Sequence, residues 1–221
     1  MSILLLGDIH GDYNILAKAL AVAKDTGATA VIQVGDFGLF PYNEQKFYQV
    51  CQYDIPTYFI CGNHDDCIRW TNYDAVGKVF GNSNLFYVPR GTVMEIDNRT
   101  IAFMGGAASI DKNIRLQEGW HWDEKENISP YEVLRMMDNA KDKHIDMFIT
   151  HCPPNSVINE HFDPRAKLQF GVGLEWHDHN QDIIENIWHG IGTPNIYSGH
   201  MHRKVEGMTY RILDINELLA V

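Results

Sequence analysis

An α/β fold with parallel strands is predicted for this 221-residue chain from three features of its sequence. Short apolar runs rich in β-branched and aromatic residues alternate with helical patterns, a rhythm that argues for parallel strands joined by right-handed crossovers. A hydrophobic content of 45% supports a sizeable core and excludes disorder. Five of the predicted strands also end in the same way, in a carboxylate, an amide or an imidazole.

The first strand is SILLL (2–6), followed by YNILAKALAVAKDTG. In that segment Ile15, Leu16, Ala19, Leu20 and Ala23 share a helical face, and Gly27 is the stop. TAVIQV (29–34) and PTYFIC (56–61) read as strands around a mixed segment, NEQKFYQVC, that could be a helix. NLFYVPRGTVMEIDNRTIAFMGGA reads as two or three strands, with Asp97-Asn98 as a hairpin turn. SPYEVLRMMDNAKDK has the clearest helix start: Ser129 caps, Pro130 follows, and Glu132 completes a capping box. IDMFIT (145–150) and PNIYS (194–198) are strands, EWHDHNQDIIENIWHG is a helix ending at Gly190, and KVEGMTYRILDI supplies the last strands. The expected organisation is one domain over 1–221, with no internal repeat.

The net charge of −11 argues against a protein that grips long nucleic acid through its phosphates. It leaves room for a small phosphorylated substrate, because bound cations invert the local charge. No apolar run reaches the length of a membrane span, and no secretory signature opens the chain. Cys51, Cys61, Cys67 and Cys152 form no CxxC pair and read as reduced cytoplasmic thiols, although the spacing of Cys61 and Cys67 would permit a disulfide. Oligomeric state is not encoded legibly.

The strand ends carry the chemistry. The first releases Asp8 and His10, the second Asp36, the third Asn63, His64 and Asp65, IDMFIT releases His151, and PNIYS releases His200 and His202. A single Gly-Asp after a strand is an ordinary turn, but five such endings at one edge of a sheet mark the edge where α/β folds bind ligands. In extended backbone, Asp8 and His10 would share a face, as would His200 and His202. The donors are nitrogen and oxygen only, which suits Mn, Fe or Zn better than a soft thiolate site. Asp8, His10, Asp36, Asn63, His151, His200 and His202 are too many ligands for one ion with an open position. Two ions about 3.5–4 Å apart can use them, with Asp36, alone on its strand, as the bridge.

The ordered set D-x-H, GD, GNHD, a lone His and GHxH resembles the calcineurin-like metallophosphoesterases, from Leu6 to His202. That resemblance implies two mixed β-sheets packed as a sandwich and flanked by helices, with a dinuclear metal site at the carboxyl ends of the strands. It implies that Asp8, His10 and His202 hold one divalent ion, that Asn63, His151 and His200 hold the other, and that Asp36 bridges. Mn is the leading metal, with Fe, Zn or Ni open. His64 would be the catalytic histidine, contacting substrate or protonating the leaving oxygen, with Asp65 orienting it; its alternative is an eighth ligand. The activity implied is hydrolysis of a phosphate mono- or diester by a metal-activated water.

Two departures count against a protein phosphatase: GDFGLFPY lacks the arginine-bearing stretch that follows GD in those enzymes, and Thr150 replaces the glycine before the lone histidine. The segment 105–129 has no convincing regular pattern and is similar to one in small phage and bacterial members of the family. Within it, Arg115 could grip phosphate, and Trp120 and Trp122 could stack on a planar, nucleotide-like group. Equally, both tryptophans could pin the loop to the core and Arg115 could pair with a local acid. HDH (177–179) is assigned to a helix, where residues two apart do not share a face, and so to local hydrogen bonding. A nuclease and a catalytically silent metal-binding scaffold are the remaining alternatives.

Overall fold

Alternation within the strands sets the layering. The computed structural model describes residues 2–50, 54–80 and 84–221, so Cys51 lies outside the described residues. Strand β1 (Ile3–Leu6) turns Leu4 and Leu6 to one side and Ile3 and Leu5 to the other. The former pack against α1 (Tyr13–Thr26) through Leu16, Ala19, Leu20 and Ala23. The latter meet a second sheet through Ile101, Phe103, Met147 and Ile149. Each fully buried aliphatic side chain contributes about 1.5–3 kcal/mol.

In the first sheet β1 is followed by β2 (Ala30–Gln33), β3 (Thr57–Phe59), β4 (Gly77–Lys78) and β5 (Leu85–Tyr87), with α2 (Glu44–Val50) and α3 (Cys67–Trp70) between them in the chain. The second contains β6 (Thr92–Ile96), β7 (Arg99–Met104), β8 (Met147–Thr150), β9 (Asn195–Ser198), β10 (Val205–Glu206) and β11 (Tyr210–Ile212). The chain then returns to the first sheet with β12 (Leu218–Ala220). The spatial orders are β12-β1-β2-β3-β5-β4 and β10-β11-β9-β8-β7-β6, each mixing parallel and antiparallel pairs. Helices α5 (Pro130–Ala140) and α7 (His179–Gly190) cover the second sheet through Met136, Ile184, Ile187 and Trp188. Helix α4 (Lys112–Glu118) and α6 (Asn155–His161) lie in the connections.

The five motif-bearing strands are therefore divided, β1-β2-β3 in one sheet and β8-β9 in the other. The ligand edge is a rim shared by two sheets rather than the edge of one. The local signals act as expected: Gly27 ends α1 at φ 70, Ser129 and Glu132 form the capping box of α5, and Asp97 and Asn98 both take positive φ in the β6–β7 turn. No helix among the described residues is long and apolar enough to cross a membrane.

Candidate metal centre

Past the carboxyl end of β1 the chain leaves extended geometry. His10 takes φ 45, Asp36 φ 55, His200 φ 69 and His202 φ 47, a left-handed region that costs a non-glycine residue of order 1–3 kcal/mol. Convergence thus comes from tight turns and not from the pleat. His200 and His202 do not share a face: His200 packs its ring against His151, while His202 turns to Asp8 and His10. Glycine permits the closeness. A Cβ on Gly62 would collide with Asp36 Oδ1, and one on Gly35 with the His151 ring.

On one side of the rim, donor atoms of Asp8, His10, Asp36 and His202 all lie within 4.8 Å of one another. His10 Nε2 and His202 Nε2 are 2.9 Å apart, and His202 Nε2 is 3.3 Å from Asp8 Oδ2. That oxygen also accepts from the His200 backbone N–H at 2.9 Å. On the other side, His151 Nε2 lies 3.1 Å from Asn63 Oδ1 and 3.3 Å from Asp36 Oδ1. Its Nδ1 is 3.0 Å from the Val34 carbonyl, which fixes the ring and leaves Nε2 facing inward. Asp36 joins the halves: Oδ1 faces His151 and accepts the His64 backbone N–H at 2.7 Å, and Oδ2 is 3.8 Å from His10.

Two buried carboxylate oxygens, Asp8 Oδ1 and Asp36 Oδ2, have no hydrogen-bond partner among the described residues. Leaving an ionised carboxylate buried and unsatisfied costs several kcal/mol, so these atoms call for cations. The donor set fits divalent ions of borderline hardness. The charges already present point the same way. Burial opposes ionisation of Asp36, yet His151 beside it, with His64 and His10, holds its carboxyl well below the usual range. Burial likewise opposes protonation of His151, but Asp36 and Asp8 push it up to about 10. His200 is drawn down to about 4, first by burial and then by the charge on His151.

His64 lies at the rim beside Asp36, its ring 5.1 Å from that of His10. Asp65 is not its partner: Asp65 accepts backbone N–H groups from Phe37 at 3.2 Å, Gly38 at 2.6 Å and Gly62 at 2.8 Å. The carboxylate therefore clasps two loops, while burial and the nearby Asp36 raise its pKa to about 7. The His64 ring lies instead against Arg115, whose Nη2 is 2.6 Å from Nδ1 and also contacts Nε2. Arg115 is 3% exposed and is anchored by Asp111 at 3.0 Å and by the Asn63 carbonyl at 3.0 Å. Burial, with Arg115 and His10, lowers the His64 pKa against the pull of Asp36.

Beside His10, His64 and Arg115 opens a cleft of about 320 Å3 walled by Phe40, Tyr42, Asn43, Trp120 and His121. Trp120 is exposed on it. Trp122 is not on this wall; its indole N–H donates to Glu126 at 3.0 Å and the Lys112 ammonium lies 3.8 Å over its ring. Two larger clefts, of about 590 and 580 Å3, lie away from the ligand rim. Phe40 and Tyr42 belong to the segment noted only for its missing arginine, and nothing in their spacing marks them. Cys61 and Cys67 are buried thiols with sulfurs 3.3 Å apart, and no disulfide joins them. HDH straddles the start of α7: Asp178 is the N-cap and His179 the first helical residue, with the His177 and His179 ring centres 5.3 Å apart and His177 Nε2 2.6 Å from Asp182.

The calcineurin-like phosphoesterase family profile matches residues 1–204. Among solved structures the chain is similar to the calcineurin-like phosphoesterase YfkN from Bacillus subtilis, at 13% identity and a TM-score of 0.48, over 98% of this chain and 81% of that one. No curated protein matches the sequence.

Proposed function

The chain belongs to the calcineurin-like phosphoesterase family and is a hydrolase acting on phosphoric ester bonds with divalent metal ions; we propose that it hydrolyses a small phosphate mono- or diester with a planar, nucleotide-like group. The observation that carries the metal part of this reading is the pair of unpartnered buried oxygens, Asp8 Oδ1 and Asp36 Oδ2, among imidazoles. Asp8, His10 and His202 would hold one ion, Asn63, His151 and His200 the other, and Asp36 would span both. Mn suits the mixed carboxylate, imidazole and amide donors, with Fe, Zn or Ni as competitors. When bound, two such ions supply Lewis acidity toward phosphoryl oxygens and a lowered pKa for nearby water.

The protein's own groups do the rest. The His64 ring lies at the rim against Arg115, and its lowered pKa favours the neutral imidazole, whose one N–H would serve as donor to a phosphoryl or leaving oxygen once substrate draws the ring from Arg115. Arg115, already fixed by Asp111 and Asn63, brings one guanidinium nitrogen to the same place and adds positive charge for a phosphate. Trp120, with Phe40 and Tyr42 opposite the same opening, offers flat apolar faces for a base or other ring. Net charge −11 disfavours long nucleic acid, so the cleft is read as a small-molecule site. The buried free thiols Cys61, Cys67 and Cys152 support a reducing, cytoplasmic setting.

Hydrolysis of p-nitrophenyl phosphate and bis-p-nitrophenyl phosphate by metal-stripped protein, with Mn added back, tests this reading. Metal-dependent turnover lost in His64→Ala and Asp36→Ala is the expected result, and the ratio of the two rates decides between monoester and diester. Absence of turnover with Mn, Fe, Zn and Ni on either substrate, despite two bound ions, would favour a non-catalytic scaffold.

A further inference from the structure

Asn63 poses a question that its neighbours answer. An amide has a donor end and an acceptor end of nearly the same shape, and only the oxygen can bind a cation. Asn63 is 4% exposed, and its Oδ1 points at His151 Nε2 while its Nδ2 donates to Ser109 Oγ at 3.2 Å. Ser109 in turn donates its hydroxyl to Glu126 Oε2 at 2.6 Å and its backbone N–H to Glu126 Oε1 at 2.8 Å. Trp122 adds a third donor to the same carboxylate. Both Ser109 and Glu126 are buried, at 4% and 3% exposure.

We infer that Ser109 and Glu126 are positioning residues that set the polarity of the Asn63 amide and so preform the half of the metal centre shared with His151 and His200. This inference rests on the two-metal reading above. The Ser109 hydroxyl donates to Glu126 Oε2, while the other carboxyl oxygen accepts the Ser109 and Trp122 N–H groups, so Glu126 acts as an acceptor throughout. The serine oxygen then has only lone pairs to offer Asn63, which must turn its NH2 toward Ser109. Oδ1 is left facing the rim. Turning the amide over would set Oδ1 against the serine oxygen, acceptor against acceptor, and point an NH2 at the cation. The relay also gives Trp122 a supporting role away from the substrate cleft.

The test is calorimetric titration of metal-free protein with Mn, comparing wild type, Ser109→Ala, Ser109→Thr and Glu126→Gln, each checked for folding by circular dichroism. Wild type should take up two ions. Ser109→Ala should keep one binding event and weaken the other by about 10–100-fold, the usual cost of losing a group that orients a ligand. Ser109→Thr should restore it, and Glu126→Gln, nearly isosteric, should weaken the same event. Glu126→Gln carries the test if Ser109→Ala does not fold. Two events of wild-type affinity in both variants, or equal weakening of both events, would overturn the inference while leaving the two-metal reading in place. A wild type that binds no Mn would overturn both.

Discussion

His10 and His202 keep 27% and 44% of their side chains exposed and meet each other across a gap of 2.9 Å, with His202 facing the Asp8 carboxylate at 3.3 Å and His10 the Asp36 carboxylate at 3.8 Å. His151 is fully buried, held from behind by the Val34 carbonyl, and faces an Asn63 whose amide is held by Ser109. The two halves share Asp36, yet one is open and lightly tethered while the other keeps His151 and Asn63 buried and hydrogen-bonded from behind. An enclosed ligand set loses little entropy when an ion arrives but destabilises the protein if one member is removed. An open set should give up affinity and leave the fold intact.

Asp36 is where the comparison breaks most completely. Asp36→Asn should abolish measurable phosphoester hydrolysis and drop bound metal, read by elemental analysis, from two ions to one or none. Next in size, His64→Ala should lower kcat by about 10²–10⁴-fold, the range for a group that assists proton transfer, while metal content stays at two. The halves separate in urea denaturation of the metal-free protein. His151→Asn should cost about 3–5 kcal/mol because it leaves Asp36 buried without its charged partner, whereas His202→Asn should cost less than about 1 kcal/mol.

The pH dependence of the metal-free protein sharpens the same contrast. His151 is held protonated up to about 10, against 6.5 in the unfolded chain, so the folded state binds the extra proton between those values. Its contribution is complete below about pH 6.5 and declines as pH rises toward about 10. Asp36 acts oppositely: its contribution is present above its unfolded value of 3.8 and is lost as pH falls toward its depressed folded value. Thermal melts should show the alkaline decline, and His151→Asn should flatten it. The smallest effect expected is at the cleft wall. Trp120→Ala should raise KM roughly tenfold for a substrate with an aromatic leaving group, the worth of one stacking contact, without altering metal uptake.

The candidate ligands stand out in the sequence because each follows a short apolar strand and a tight polar turn, both local features. The two sheets were expected from the family resemblance alone; residue patterns do not assign strands between them, since strand order depends on pairings such as β7 with β8 that join residues far apart in the chain. Helix α4 escaped notice for a different reason. Its apolar residues Ile114 and Leu116 are exposed, at 38% and 54%, so no buried stripe marks it. Missing α4 also hid the partner of His64, because Arg115 is brought to it from 51 positions away. Asp65, adjacent in sequence, was the obvious partner, but the turn after Asn63 sends its carboxylate back to three backbone N–H groups. The role of Ser109 depends on a chain of polarity through Glu126 that no spacing announces.

On the proposed function, two metal ions sit close together across Asp36. Titration of the metal-free protein with Mn(II), followed by electron paramagnetic resonance, tests it most directly. An exchange-coupled signal, as expected for ions about 3.5–4 Å apart, should grow until two ions are bound and disappear in Asp36→Asn. Saturation at one ion per chain, with only the hyperfine pattern of an isolated Mn(II), would contradict it.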